Sequence, residues 1–420
     1  MVKKTNTATK KTAPAKERLT GFGPFDVPLG FRGLGMAAGL KASGRPDLTL
    51  FYSDFPCRAA AVFTKNKFAA APITVCRESL RAEPENQRVI LVNSGQANAC
   101  TGKQGLATAR AMAACAAKSL GLSPKQVMVA STGVIGQQIA LAPAKKGITT
   151  LAREIASRSD WEMAARGIMT TDTFPKAAFM PVRIGGFTVK FLGFCKGAGM
   201  IHPNMATLLS FVLTDANIEQ HALQSALSAA VATSFNMMTV DGDTSTNDTL
   251  IVHANGMTGN PLIRKGTAAF RIFSDALQEI CERLAKQIAR DGEGATKFVE
   301  ISVVGAANSD DARAVAKSIA TSNLVKTAIF GGDPNWGRIA CAIGNAPARL
   351  RPQDVVVRLG GRLLFAKGGP AATPERLLAK AMKQKEIRIE VNLGAGRASA
   401  TAWTCDLTYD YVRINADYRT

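Results

Sequence analysis

Three histidines in 420 residues (His202, His221, His253), with no HExxH spacing, leave little room for a zinc or histidine-triad enzyme. Cysteine is no better a source of ligands: the eight thiols at 57, 76, 100, 115, 195, 281, 341 and 405 are scattered, with no CxxC pair. Contexts such as Cys115 in an alanine run and Cys281 after Ile280 fit buried thiols in a reducing cytoplasm. No metal and no resident cofactor is expected. No apolar run is long enough to cross a bilayer, which argues against an integral membrane protein. Acidic residues are outnumbered, 32 against 52 basic ones, for a formal charge of +20. The basic residues carry no RNA-binding aromatic pattern, so nucleic acid is not expected as the main partner.

What remains is a globular composition, 46% hydrophobic and 20% charged, in a chain too long for one ordinary core. Part of the positive charge sits in residues 1–18, where Lys3, Lys4, Lys10, Lys11, Lys16 and Arg18 face only Glu17. That tail reads as disordered. It has neither the apolar core of a secretory signal nor the Arg and Ser content of a transit peptide.

The most informative segment is Lys196-Gly-Ala-Gly-Met-Ile-His-Pro-Asn-Met-Ala206-Thr207, followed by the apolar run Leu208–Leu213. Glycines and Pro203 let the backbone bend so that a threonine hydroxyl can reach the preceding carbonyl. If the Ala206–Thr207 bond breaks, Thr207 acquires an α-amine with a pKa of roughly 8 beside its own hydroxyl. One residue then supplies both nucleophile and general base. The plainer alternative is a loop entering a buried strand.

Elements can be read on either side. Strands are expected at 88–93, 127–130, 189–194 and 250–254, and helices at 108–120, 222–235 and 275–290. A mixed α/β set follows: strand 298–304, helix 310–319, strand 355–359, helix 374–383 and strand 387–393. The last stretch, 399–418, alternates like a strand. The expected division is a basic tail (1–18), a main domain (19–299), a smaller α/β domain (300–395) and a C-terminal segment (396–420).

Three further clusters carry possible chemistry. Thr132-Gly133, at a strand-to-turn junction, can offer a hydroxyl and a backbone N–H to an oxyanion, or be a plain turn. Met169-Thr-Thr-Asp-Thr-Phe-Pro-Lys176 sets three hydroxyls around one carboxylate, as a pocket wall or a hydrogen-bonded turn. Asp291-Gly-Glu-Gly-Ala-Thr-Lys297 places Glu293 between glycines, where a backbone can approach a ligand.

With Asn93–Gly102, Ser131–Gly136, Asn204–Thr207, Val240–Asp248 and Asp333–Arg338, these segments resemble the ornithine acetyltransferase family, the glutamate N-acetyltransferases of arginine biosynthesis. The resemblance covers essentially the whole ordered chain; Gln96 and Pro334 depart from the usual pattern, and the basic tail is extra. It implies an α-β-β-α sandwich with a second, smaller α/β domain, self-cleaved between Ala206 and Thr207 and assembled as α2β2. It implies Thr207 as nucleophile and Thr132 with Gly133 as oxyanion hole. Thr170, Lys196, Thr207, Glu293, Asn415 and Thr420 match substrate-binding positions, with Thr171 and Thr173 chemically equivalent to Thr170. The implied substrates are N-acetylornithine and glutamate, in the cytoplasm, with acetyl-CoA left open as a second donor. A related self-cleaving amidohydrolase or aminopeptidase is the nearest alternative.

Overall fold

The computed structural model describes residues 27–202 and 208–417. The basic tail, the expected scissile pair Ala206–Thr207 and Thr420 lie outside the described residues. The first sheet contains β1 (Phe31–Met36), β2 (Leu48–Phe63), β3 (Gln87–Gln96), β4 (Val127–Val134), β5 (Lys176–Ile184), β6 (Phe187–Lys196), β7 (Leu209–Thr214) and β8 (Thr249–Ala254). Its order is β4-β3-β2-β8-β7-β6-β5, with β1 on β2. Between and after these strands run α1 (Ala71–Ala82), α2 (Gly102–Leu120), α3 (Leu141–Glu154), α4 (Trp161–Gly167), α5 (Gln220–Thr233) and α6 (Ala268–Arg290).

Strand β2 belongs to two halves. Its residues Leu48–Tyr52 pair with β3, whereas Arg58–Phe63 pair with β8. Pro56 falls in the register shift between them, where a residue without an N–H costs no ladder bond. Side-chain alternation then builds four layers. Leu48, Leu50, Leu91 and Val129 face α2 and α3, while Phe51, Ile90, Val92 and Met128 face inward toward Phe194, Phe211 and Ile251. Phe51 stacks on Phe194 at 5.1 Å between ring centroids, so the inner layer is aromatic. On the far side Phe191, Val212, Leu250 and Val252 pack against α5 and α6. The result is an α-β-β-α sandwich.

A second sheet starts at β9 (Phe298–Ala306) and continues with β10 (Val356–Leu359), β11 (Arg362–Ala366), β12 (Gly369–Pro370), β13 (Glu386–Asn392) and β14 (Ala398–Cys405). Its order is β12-β11-β10-β13-β9-β14. Helices α7 (Ser309–Thr321), α8 (Asn323–Gly331), α9 (Trp336–Gly344) and α10 (Glu375–Met382) accompany it, and α11 (Tyr409–Asp417) ends the described chain. The C-terminal stretch expected as one strand is therefore split. Asp406 accepts from the N–H groups of Thr296 and Lys297 and ends the ladder, and the Thr408 hydroxyl then accepts from Tyr411 N–H to start α11.

Candidate active site

The end of β4, the end of β6 and three connecting segments converge on one cavity of about 370 Å³. Its wall holds Thr132, Gly133, Thr170, Lys196, Glu293 and Asn415, six positions chosen from sequence that span most of the chain. Thr207 and Thr420 lie outside the described residues, but Met200 and Ile201 upstream and Leu208 downstream of residue 207 border the same cavity.

Thr132 and Gly133 remain within β4, in register with Ser94 and Gly95 of β3; the turn follows at 135–136. Gly133 has φ +126°, and a Cβ there would lie 2.3 Å from the Gly95 carbonyl carbon, so only glycine fits. The buried Lys196 ammonium, at the end of β6, donates to the Thr132 hydroxyl oxygen at 3.1 Å. Because that oxygen accepts from Lys196, its own hydrogen is left to point elsewhere, and the cavity is the open direction. Burial lowers the Lys196 pKa; the Asp172 carboxylate opposes that shift and the nearby Lys176 adds to it.

Asp172 organises the Thr170 wall. One carboxylate oxygen accepts from Thr170 N–H at 2.9 Å, the other from Gly197 N–H at 2.7 Å and from the Lys176 ammonium at 2.6 Å. Burial raises the pKa of such a group, yet the Lys176 and Lys196 ammoniums and the Gly197 N–H outweigh it and hold Asp172 well below the usual carboxylate range. Thr170 and Thr171 both line the cavity, whereas Thr173 turns its N–H and hydroxyl to Asp291.

Glu293 lies between α6 and β9. Its N–H donates to the Ala198 carbonyl at 2.9 Å, and a Cβ on Gly199 would sit 2.2 Å from its carboxylate. Glycine at 199 is thus what admits the acid. The Asn415 amide, from α11, donates to the Glu293 carboxylate at 2.9 Å. The cavity wall thereby carries the Lys196 ammonium and the Glu293 carboxylate on different segments.

Sequence reasoning gave no role to the residues of the 241–248 loop. Asp241 accepts from Met200 N–H at 2.6 Å and Ile201 N–H at 2.8 Å, anchoring the segment that leads to residue 202. The Asn247 amide bridges the Ala97 and Ser131 carbonyls, tying this loop to β4. The signal was present as the polar run Val240–Asp248, but its partners lie far away in sequence. Among the described residues, no group of three or more His, Cys, Asp or Glu is placed to hold a metal ion, and no helix is long and apolar enough to cross a membrane.

Fold and site together define an α-β-β-α sandwich protein with a polar cavity in the size range of small-molecule sites. The ArgJ family matches residues 32–420, and the chain belongs to that family, in agreement with the resemblance drawn from its motifs. The arginine biosynthesis bifunctional protein ArgJ of Symbiobacterium thermophilum is 48% identical over 400 residues, covering 95% of this chain and 99% of that protein. The protein of the same name from Listeria monocytogenes is 48% identical over 398 residues, covering 95% of this chain and 99% of that protein. The crystal structure of arginine biosynthesis bifunctional protein argJ from Bacillus halodurans shares 49% identity, covers 50% of this chain and 100% of that chain, and has a TM-score of 0.49.

Proposed function

We propose that this protein is a glutamate N-acetyltransferase of arginine biosynthesis, moving acetyl from N-acetylornithine to glutamate through an acetyl ester on Thr207. The observation that carries this reading is convergence: Thr132, Gly133, Thr170, Lys196, Glu293 and Asn415 share one cavity, bordered by residues on both sides of position 207. The relatives' name places them in arginine biosynthesis.

In this reading Thr207 first attacks the Ala206 carbonyl; the C–N bond breaks as the ester forms, which frees its α-amine, and hydrolysis of that ester then restores its hydroxyl and releases the Ala206 carboxylate. That amine then takes the hydroxyl proton as Thr207 attacks the acetyl carbonyl of N-acetylornithine. The Thr132 hydroxyl and Gly133 N–H receive the oxyanion; one such donor is typically worth about 3 kcal/mol. Ornithine leaves, glutamate enters, and ping-pong kinetics follow. Glu293 with Asn415 suits a side chain ending in ammonium and Lys196 one ending in carboxylate. The word bifunctional in the relatives' name supports a second activity, for which acetyl-CoA is the donor we propose. We further place the enzyme in the cytoplasm as an α2β2 assembly of its two fragments, without a resident cofactor.

Intact-mass spectrometry and an acetyl-transfer assay test the reading together. The expected result is two fragments, the second beginning at Thr207, with acetyl passed from N-acetylornithine to glutamate and both lost in Thr207→Ala. A stable single chain of 44.3 kDa, or release of acetate in place of acetylglutamate, sinks it.

A further inference from the structure

One acid in the cavity wall accepts no hydrogen bond of ordinary geometry among the described residues. Asp248 closes the 241–248 loop just before β8, is 1% exposed, and lines the cavity with Thr132, Lys196 and Leu208. Its backbone is fixed: its carbonyl accepts from Thr64 N–H at 2.9 Å, and the next N–H, that of Thr249, donates to the Leu208 carbonyl at 2.8 Å. Neither carboxyl oxygen has a hydrogen bond among the described residues. The Thr64 hydroxyl, which borders it, donates instead to the Ser245 carbonyl at 2.8 Å. Other buried side-chain atoms are unsatisfied too, but among the described residues only those of Asp248 lie in the wall of this cavity. Buried polar groups are normally paired, so a carboxyl left without a hydrogen bond in a pocket wall points to a catalytic role.

Burial pushes this carboxyl well above the usual range; the Ser245 and Thr64 hydroxyls, the Lys196 ammonium and the Leu208 N–H pull the other way, near enough to act on it but without forming a hydrogen bond of ordinary geometry. The other charged groups of the cavity wall are Asp241 and Asp243 on the same loop and Glu293 after α6.

We propose that Asp248 is the proton carrier for the reacting amines, a role that rests on the acetyl-transfer reading above. As the C–N bond of the N-acetyl donor breaks, the Asp248 carboxyl gives its proton to the departing nitrogen, and the amine leaves neutral. When the neutral amine of the acceptor attacks the acetyl ester, a C–N bond forms and the C–O bond to the enzyme breaks. The surplus proton on nitrogen returns to Asp248. The proton from the nucleophile's hydroxyl waits on its own amine and returns to that oxygen, so the two half-reactions balance. An amide needs this help because an unprotonated amide nitrogen is a very poor leaving group.

The test compares two acetyl donors in single-turnover acetylation of wild-type and Asp248→Asn protein: N-acetylornithine, and p-nitrophenyl acetate, whose phenolate leaves without a proton. Asp248→Asn is expected to lose about a hundredfold or more in rate with the amide and to stay within about twofold with the ester. An equal loss with both donors, or no loss with the amide, overturns the proposal. Wild-type protein that neither donor acetylates refutes the acetyl-transfer reading itself, a separate result. If the variant does not mature, the wild type decides: its amide rate falls as pH rises through the pKa of Asp248 while its ester rate keeps no such limb. Superimposable profiles for the two donors overturn the proposal.

Discussion

Lys176 is where the geometry of the site is held at the residue scale. Its side chain is fully buried, with the ammonium between the carboxylates of Asp172 and Asp291. Each carboxylate then holds a different segment: Asp172 takes the N–H groups of Thr170 and Gly197, and Asp291, two residues before Glu293, takes the N–H of Thr173. The run 169–176 announced Asp172 as a centre of hydrogen bonding, but Asp291 lies 115 residues from Lys176, so the triad was invisible to local pattern. Asp172 and Asp291 raise the Lys176 pKa against burial, which alone would lower it. Lys176→Met leaves two buried carboxylates facing each other and is expected to cost about 3–5 kcal/mol at neutral pH, read by urea denaturation. The sign with pH follows from Asp172, whose folded-state pKa is depressed. Its stabilisation is present above its ordinary value of 3.8 and is lost as pH falls below it. The gap between wild type and variant should therefore narrow in acid; a gap that widens there would contradict the triad as the source of stability.

Among elements, legibility followed the continuity of the side-chain pattern. Helix α6 was readable because Leu277, Ile280, Cys281, Leu284 and Ile288 form one uninterrupted buried stripe. Strand β2 was not, because Ser53-Asp54-Phe55-Pro56 breaks its alternation where it passes from one half of the sheet to the other. Helix α11 was misread because the alternation of β14 runs on past the Asp406 turn. Yet α11 brings Asn415 to Glu293, and it buries none of its side chains. It is held by the Thr408 hydroxyl on the Gly294 carbonyl and by the edge of Tyr409 against Phe330 at 5.5 Å. A chain stopped after Thr408 should thus unfold close to the wild-type temperature in a thermal-shift scan. Its KM for the amino-acid substrates should rise at least about tenfold, the worth of one hydrogen bond to a charged group. An unchanged KM removes α11 from substrate recognition.

At the scale of the whole molecule, a single hydrophobic core joins the two sheets. The cluster that covers Phe191, Val212 and Leu250 of the sandwich passes through α6 and continues into Val299, Ile301 and Ile389 of the second sheet and Val315 of α7. Position 207 lies between β6 and β7, which pair antiparallel from Phe191↔Thr214 to Lys196↔Leu209. Cleavage there would cut the connection while leaving the ladder, and β7 is further locked by its parallel pairing with β8. Both products would also contribute to that core, since β6 lies upstream of 207 and α5, α6 and the second sheet lie downstream. Neither product could bury its apolar face alone. The processed protein should therefore elute from a sizing column with both fragments in equal amounts and show one calorimetric transition, with calorimetric and van't Hoff enthalpies agreeing per cooperative unit. Two separated transitions, or one fragment lost from the column under native conditions, would show that the ladder and shared core do not bind the halves into one folding unit.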